Sequence, residues 1–148
     1  MIINARSFGK IEIEKEDIIT FPDGIPGFGS LKQYIIINNP DEENPFQWLQ
    51  SVDDGDLAFV IINPFLIKPD YDIVIPQSAI DKLKIEDEKD VFLYTLVVVP
   101  EKLEDMTVNL SAPIVINGKE RLARQIILED KKYKTRHYIF KTAESRGE

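Results

Sequence analysis

The chain has 148 residues, of which 43% are hydrophobic, and it carries a net charge of −8. That length and apolar content suffice for one domain with its own core, and the absence of cysteine excludes disulfides, thiolate metal sites and thiol nucleophiles. The first residues lack the apolar segment of a signal peptide, and no apolar run approaches the ~20 residues needed to span a bilayer. We therefore expect a cytoplasmic protein with no membrane partner.

The charges are unevenly distributed along the chain. Residues 33–67 contain no Lys or Arg but six acids, whereas residues 119–148 contain nine Lys/Arg and five Asp/Glu. An acidic middle segment repels phosphate groups, so it disfavours a nucleic-acid partner and favours a basic protein. Acidic loops also occur simply as solvated turns that keep a small protein soluble, and the charge pattern alone leaves both interpretations open.

Short strands dominate the first half of the chain. Residues 10–21 (KIEIEKEDIITF) alternate apolar and charged side chains, which predicts half-buried strands. A breaker segment rich in Gly and Pro follows at 22–30, and strands are predicted at 33–39 (QYIIINN) and 46–52 (FQWLQSV). The apolar run 57–64 (LAFVIINP) indicates a central strand buried on both faces.

The second half adds one helix to further strands. Another strand is predicted at Tyr71–Ile75, and a helix begins near Pro76 because apolar residues follow at helical spacing. The remaining strands are predicted at 91–100, at 107–117 with an interruption at Pro113, and at 121–128. The dipeptide Asn117-Gly118 predicts a type I′ hairpin, since both residues tolerate positive φ.

Eight or nine short strands with one helix indicate an all-β fold. We predict a small closed antiparallel β-barrel-like domain with one short helix over residues 1–140. The polar segment 141–148 is predicted to be a frayed C-terminal tail.

Metal and catalytic motifs are absent from the sequence. An EF-hand loop that began at Asp53 would place Pro64 where a ligating Glu is required, and His137 is the only histidine. The chain has no nucleophile elbow, P-loop or zincin motif. We therefore expect no metal, no cofactor and no enzymatic activity, and we interpret His137 as a surface or strand-edge residue.

Three further features suggest binding chemistry but have simpler interpretations. The run Gly24 to Gly29 reads G-x-x-G-x-G, which is the wrong order for a dinucleotide loop, so a structural turn with Ile25 and Phe28 on the core is expected. Trp48 lies in an alternating strand and is predicted to be a core residue. Tyr133 and the neighbouring cations resemble an RNA-binding surface, but the acidic net charge disfavours this.

Several segments together resemble one family, the flagellar assembly factor FliW. They are ITFPDGIPGF at 19–28, PFQWLQSVDDGDLAFVIINP at 45–64, VNLSAPIVIN at 108–117 and RQIIL at 124–128. Their order and spacing match from near the N-terminus to about residue 140. Gly55 and the polar tail are interpreted as ordinary local variation.

The resemblance implies a monomeric, non-enzymatic β-barrel with two mutually exclusive partners. One is unassembled flagellin, and the other is CsrA, a small dimeric RNA-binding repressor of flagellin translation. Capture of CsrA by the FliW protein would relieve that repression, and flagellin would release CsrA. The resemblance further implies that this capture does not compete directly with RNA for its site on the repressor.

The three aspartates before the central strand, Asp53, Asp54 and Asp56, are the candidate binding site for the basic partner. They directly precede an apolar strand, where a rigidly held acidic surface could attract the cations of a partner. Two other functions remain open: a ligand-binding barrel of the flavin-binding split-barrel kind, and a small hydrolase that uses carboxylates. The sequence shows neither a phosphate-binding cluster nor a paired carboxylate geometry for them.

Overall fold

The computed structural model describes residues 1–140 and is mostly β-structure with one short α-helix, as predicted. The predicted tail, residues 141–148, lies outside the described residues. It has eleven strands within this range, rather than eight or nine, because several strands are too short to leave a sequence pattern. The strands are β1 (Ile2–Ala5), β2 (Gly9–Glu12), β3 (Ile19–Thr20), β4 (Gln33–Ile37), β5 (Gln47–Ser51), β6 (Ala58–Ile62), β7 (Val91–Val98), β8 (Thr107–Val108), β9 (Ile114–Asn117), β10 (Leu122–Gln125) and β11 (His137–Tyr138). The α-helix is α1 (Gln77–Lys82), and short 3-10 helices occur at Lys15–Asp17, Pro64–Leu66, Glu88–Asp90 and Leu103–Asp105.

Seven strands close into the predicted barrel. They follow the order β7-β6-β5-β4-β3-β10-β9, and β9 pairs back with β7. Every pairing in this ring is antiparallel except β3 with β10, where Leu122 lies beside Thr20 and the Thr20 N–H donates to the Arg121 carbonyl at 2.9 Å. A ring of seven strands cannot alternate direction all the way round, so one parallel pairing is required.

The barrel interior is filled by side chains. Alternate residues of each strand point inward, and they form a central core with Phe21 and Ile25 from the β3–β4 connection. The buried members are Ile19, Phe21, Ile25, Tyr34, Leu49, Ile61, Ile114, Ile116 and Ala123. Small barrels with interiors filled in this way are held together by their own core.

The outer faces of the barrel are covered by segments that lie outside the ring. The β1–β2 hairpin packs Ile3 against Ile35 of β4, and α1 packs Ala79, together with its C-cap residue Leu83, against Val115 of β9. Within residues 1–140, no helix combines the length and apolarity required to cross a bilayer.

Helix α1 confirms the predicted helix and is tied to the barrel by a strand residue. Pro76 is its N-cap residue, and Lys84 adopts a left-handed conformation (φ 56°) just after the C-terminus. The buried Asn117 side chain donates to the carbonyls of Leu83 and Lys84 at 2.8 and 3.1 Å. Carbonyl groups at the end of a helix lack intrahelical partners, so Asn117 satisfies two of them.

The predicted type I′ turn at Asn117-Gly118 is wrong. Asn117 is the last residue of β9 and pairs with Leu122, so the loop between them has four residues rather than two. The positive φ in this turn belongs to Arg121 (φ 56°), whose N–H donates to the Asn117 carbonyl at 2.8 Å. The Asn117 side chain is used to cap α1, which is a tertiary role that a local turn rule does not include.

Three other predictions need correction. Residues 71–75 form no strand, although their side chains alternate between buried and exposed. Trp48 is half-buried on the outside of the barrel and packs edge-on against Phe8 with ring centroids 5.0 Å apart. Its neighbour Leu49 is the residue of β5 that enters the core. In β6 only the last two residues are fully buried, so the strand is central but not covered along both faces throughout.

Candidate functional site

The acidic loop, residues 53–56, joins β5 to β6 at one end of the barrel. All three of its aspartates are exposed, while Gly55 is half-buried. Their carboxylates therefore project into solvent directly beside two paired strands of the ring. The structure brings the sequence-predicted residues Asp53, Asp54 and Asp56 together on one surface.

Local hydrogen bonds fix the shape of the acidic loop. The Asp54 N–H donates to the Ser51 hydroxyl at 3.0 Å, and the Asp54 carboxylate accepts from the Asp56 N–H at 3.0 Å. The Leu57 N–H closes the turn on the Asp54 carbonyl at 3.1 Å. Asp side chains that accept from a backbone N–H two residues ahead stabilise turns of this kind.

The buried side chain of Gln50 supports the acidic loop through hydrogen bonds to backbone carbonyls. Its side chain is 0% exposed, and its Nε2 lies 3.0 to 3.2 Å from the carbonyl oxygens of Ser51, Gly55 and Leu57. Buried carbonyl groups need donors, and the two N–H groups of the Gln50 amide are shared among these three where the two strands diverge. This role explains why a polar residue occupies a fully buried strand position.

Gly55 is required by its surroundings, which corrects its interpretation as local variation. A Cβ at this position would stand 1.8 Å from the Asn4 carbonyl oxygen and 3.0 Å from the Asn4 carbonyl carbon. The Gly55 carbonyl also accepts a hydrogen bond from the Arg6 N–H at 2.9 Å. The acidic loop is therefore held against β1 and the first residue of the turn that follows it.

The three loop carboxylates form no ion pair with any other residue in the range 1–140. Over the same range, no group of three or more His, Asp or Glu residues is arranged to hold a metal ion. Three uncompensated negative charges on a rigid loop generate a local field that attracts a cationic surface. The arrangement is suited to binding a basic partner.

A second concave surface, the Phe140 groove, lies where the connections on either side of β5 and β6 meet the end of the described chain. It encloses about 520 Å³ and is largely apolar, with two acids at its margin. Leu66 and Phe140 within it are 61% and 55% exposed. The residues that line it are Asp41, Glu43, Asn44, Pro45, Phe46, Ile62, Leu66, Ile67, Ile139 and Phe140.

The Gly-rich segment 24–29 forms the structural turn that the sequence predicted. Ile25 is buried in the barrel core, whereas Phe28 is partly exposed and packs edge-on against Phe59. The cations near this turn contact protein oxygens: Lys82 and Arg124 lie 2.6 and 3.6 Å from the two carboxylate oxygens of Asp23, and the Lys32 ammonium donates to the Pro22 carbonyl at 2.9 Å. Each of these cations is therefore engaged by an oxygen of the protein itself.

The remaining sequence candidates have structural roles. His137 lies in the short edge strand β11, as expected. Tyr133 is buried, with its ring packed against Tyr71 at 4.7 Å, so it does not form a basic-aromatic RNA surface. Burial raises the pKa of the Tyr71 hydroxyl, which donates to the Leu110 carbonyl at 2.6 Å.

Sequence reasoning missed the Phe140 groove and the support of the acidic loop. The groove is assembled from segments separated by about a hundred positions, so no local pattern reveals it. Gly55 and Asn4, which are 51 positions apart, are also brought into contact only by the fold. The one usable signal was Gln50, a polar residue inside the strand predicted at 46–52.

Comparisons with known proteins agree along nearly the whole chain. The profile of the FliW protein family matches residues 2–139. The chain is 53% identical over 148 residues to the flagellar assembly factor FliW of Alkaliphilus metalliredigens, with coverage of 100% of this chain and 91% of that protein. It is 44% identical over 144 residues to the flagellar assembly factor FliW of Caldicellulosiruptor saccharolyticus, with coverage of 97% and 93%.

The fold also matches a solved structure. The crystal structure of a flagellar assembly factor FliW superposes with a TM-score of 0.89 at 42% sequence identity. The match covers 96% of this chain and 99% of that one. At this identity and coverage, the similarity extends to sequence and fold together.

Proposed function

Because this chain belongs to the FliW protein family, we propose that it is a flagellar assembly factor that alternates between two protein partners, flagellin and the repressor CsrA. Binding of CsrA relieves the repression of flagellin translation, and binding of flagellin returns CsrA to its RNA. The protein acts as a cytoplasmic monomer without enzymatic activity. Family membership is the observation that carries this proposal.

The acidic loop supports the proposed binding of CsrA. A protein that binds RNA presents cations to phosphate groups, and the same cations are attracted to exposed carboxylates. Asp53, Asp54 and Asp56 are exposed, unpaired within residues 1–140 and held on a clamped loop. A fixed loop loses little conformational freedom when it binds, so the charges act without an ordering cost.

The Phe140 groove supports the proposed binding of flagellin. A subunit that has not joined its polymer exposes apolar surface that the polymer would bury, and exposed apolar patches mark protein interaction sites. Leu66 and Phe140 provide such surface on this chain. We assign the apolar groove to flagellin and the acidic loop to CsrA.

The two surfaces are close enough for their partners to exclude each other. Phe46 of the groove lies just before β5 and the acidic loop just after it, and β5 has five residues. A strand of that length spans roughly 17 Å. A standard interface takes ~800 Å² from each partner, so a partner centred on one surface reaches the other.

The test uses purified flagellin, purified CsrA and the full chain in size-exclusion chromatography with each partner separately. We expect a stable complex in each case. The variant Leu66→Asp should weaken the flagellin complex, and conversion of the three loop aspartates to Asn should weaken the CsrA complex. If neither partner forms a complex with the unmodified chain, the proposal is wrong.

The alternative of a flavin-binding split barrel finds no support in the barrel interior. The centre is occupied by packed side chains from both walls, including Tyr34, Phe21 and Leu49. Lys82 and Arg124, beside the Gly-rich turn, are engaged by Asp23. Purified protein that absorbs visible light would contradict this conclusion.

A further inference from the structure

Two segments with the side-chain pattern of β-strands face each other across a groove without pairing. Residues 71–75 and residues 126–129 both alternate buried or half-buried side chains with exposed ones, yet neither segment belongs to a strand. The groove between them encloses about 360 Å³. We call it the open-edge groove, and its lining is Asp72, Ile73, Val74, Pro76, Ile127, Leu128, Glu129, Asp130 and Tyr133.

The groove wall formed by residues 126–129, which continues from β10, already makes backbone hydrogen bonds on one side. The N–H groups of Ile126 and Leu128 donate to the carbonyls of Pro113 and Ser111 at 2.9 and 2.8 Å. In an extended chain the backbone groups of successive residues point to opposite sides, so those of Ile127 and Glu129 point away from this neighbour. Neither residue has a backbone hydrogen bond within residues 1–140.

On the opposite wall, the side chain of Tyr133 takes the place of a strand partner at Asp72. The Tyr133 hydroxyl accepts from the Asp72 N–H and donates to the Asp72 carbonyl, both at 2.8 Å. A neighbouring strand makes this same pair of bonds with one residue. Val74 has no backbone hydrogen bond within the described chain. In an extended segment, residues two apart present their backbone groups to the same side, so the alternating burial of 71–75 places Val74 on the side of Asp72.

The side chains beside these open backbone groups are apolar and exposed. Val74 is 86% exposed and Ile127 is 76% exposed, one on each wall. β-branched residues fit a pleated surface and are enriched in strands. Natural proteins normally protect such an edge with charge, proline or a covering segment, because an open edge is a template for another chain.

The charge of the open-edge groove determines the chemistry of its occupant. Its lining includes three acids and no cation. Lys132 pairs with Asp130 at 3.7 Å, but both side chains are more than half exposed, so this pair neutralises little. An occupant that carries Lys or Arg complements the lining. The tail 141–148 carries no apolar side chain larger than that of Ala143, so its sequence does not match the apolar walls.

We propose that the open-edge groove binds an extended segment of another polypeptide by β-strand addition. The bound segment has apolar side chains at alternate positions and a Lys or Arg beside them. Backbone hydrogen bonds to Val74, Ile127 and Glu129 provide the affinity, and the apolar walls select the side chains. This site is distinct from the acidic loop and the Phe140 groove, and it does not depend on the function proposed above.

The test titrates the full chain with a synthetic probe, acetyl-Lys-Val-Thr-Val-Thr-Val-Lys-amide, and follows the backbone amides by NMR. We expect shifts at Val74, Ile127 and Glu129, and slower hydrogen exchange of these amides in the complex. The same peptide methylated on alternate backbone nitrogens keeps its charge and side chains but cannot donate. It should bind about tenfold more weakly, as expected for the loss of one or two hydrogen bonds.

Protein variants distinguish strand addition from nonspecific hydrophobic binding. Ile127→Pro removes a donor that the fold does not use, and proline is tolerated at the open side of an edge strand. This variant should lose binding, whereas Leu103→Ala, which trims an exposed apolar residue outside the groove, should bind like wild type. A probe with Glu at both ends should bind more weakly than the Lys probe. If Ile127→Pro fails to fold, the methylated peptide still decides the question.

Three results would overturn the proposal. The first is equal binding of the methylated and unmethylated peptides. The second is a concentration-dependent dimer of the chain that Ile127→Pro abolishes, since the occupant would then be a second copy. The third is probe binding that occurs only after residues 141–148 are removed, since the tail would then be the occupant.

Discussion

Gly55 lies against the backbone of Asn4 so closely that a methyl group on its Cα would stand 1.8 Å from the Asn4 carbonyl oxygen. The clashing atom belongs to the backbone of β1, so it cannot rotate away as a side chain could. This contact couples the acidic loop to the N-terminal hairpin, which covers β4 on the outside of the barrel.

Gly55→Ala should therefore destabilise the protein by about 1–3 kcal/mol, the usual cost of overpacking. The matched control is Gly29→Ala, because a Cβ there would meet its nearest atom at 4.0 Å and the backbone φ is not positive. Chemical denaturation of both variants measures the difference. Equal stabilities would contradict the contact.

Replacement of Gly118 tests the corrected turn. A Cβ at this position would lie 2.5 Å from the Phe92 ring and 3.3 Å from the Asp90 carbonyl oxygen. Gly118→Val should cost about 1–3 kcal/mol because of this contact, and not because of a positive φ. In a Phe92→Ala background the cost should fall. A double-mutant cycle by denaturation measures the coupling, and an unchanged cost would show that the ring is not responsible.

Removal of charge from the acidic loop should slow CsrA binding. Asp53, Asp54 and Asp56 are changed together to Asn, which keeps the Oδ1 acceptor that position 54 presents to the N–H of residue 56. Exposed charge pairs are each worth only ~0.2–1 kcal/mol, but their combined field raises the association rate. We expect association about tenfold slower at low salt, with the difference shrinking as ionic strength rises.

The control for this experiment changes the same amount of charge elsewhere, through Glu86, Glu88 and Glu101 to Gln, which are all exposed. Stopped-flow rates that match wild type at every salt concentration would show that the loop is a solvated turn. A salt-independent change in the dissociation rate alone would show that the aspartates make buried contacts instead of steering.

Flagellin should displace CsrA from the protein. The two assigned surfaces lie at opposite ends of β5, and each standard interface is large enough to extend over the other. Purified flagellin added to the preformed CsrA complex should release CsrA in proportion to the flagellin bound. A stable ternary complex on size-exclusion chromatography would contradict mutual exclusion.

The Asp23 carboxylate should contribute stability that depends on pH. The Lys82 ammonium, which donates a hydrogen bond to it, holds the pKa of Asp23 below its ordinary value of 3.8. A lowered pKa means that the stabilisation is present above pH 3.8 and is lost as the pH falls through the folded-state value. Asp23→Asn should thus cost up to about 1 kcal/mol at neutral pH, because the pair is substantially exposed.

The difference between Asp23→Asn and wild type should shrink on acidification toward the pH at which Asp23 is protonated in both states. Urea denaturation at a series of pH values measures it. Glu86→Gln serves as the control, since Glu86 is exposed and takes part in no ion pair within residues 1–140. A difference that stays constant with pH would rule out the charge as the cause.

Features set by neighbouring residues could be predicted from the sequence. Alternation and β-branched composition identify strands β4, β5, β6 and β7, and the spacing after Pro76 identifies α1, because these signals act over a few residues. The acidic loop was also predictable, since three aspartates before an apolar run give an exposed, charged turn. The combined segments were sufficient to indicate the FliW family.

Features set by contacts between distant residues were decided by the tertiary structure. The segment 71–75 has the side-chain pattern of a strand, but a strand also needs a partner strand. Within the described chain, the Tyr133 hydroxyl makes the hydrogen bonds to Asp72 that such a partner would make. Asn117 has the composition of a turn residue, but the end of α1 lies close enough to recruit its side chain. Local sequence sets the preferences of a segment, whereas packing decides which of its backbone groups are paired and which remain open to another chain.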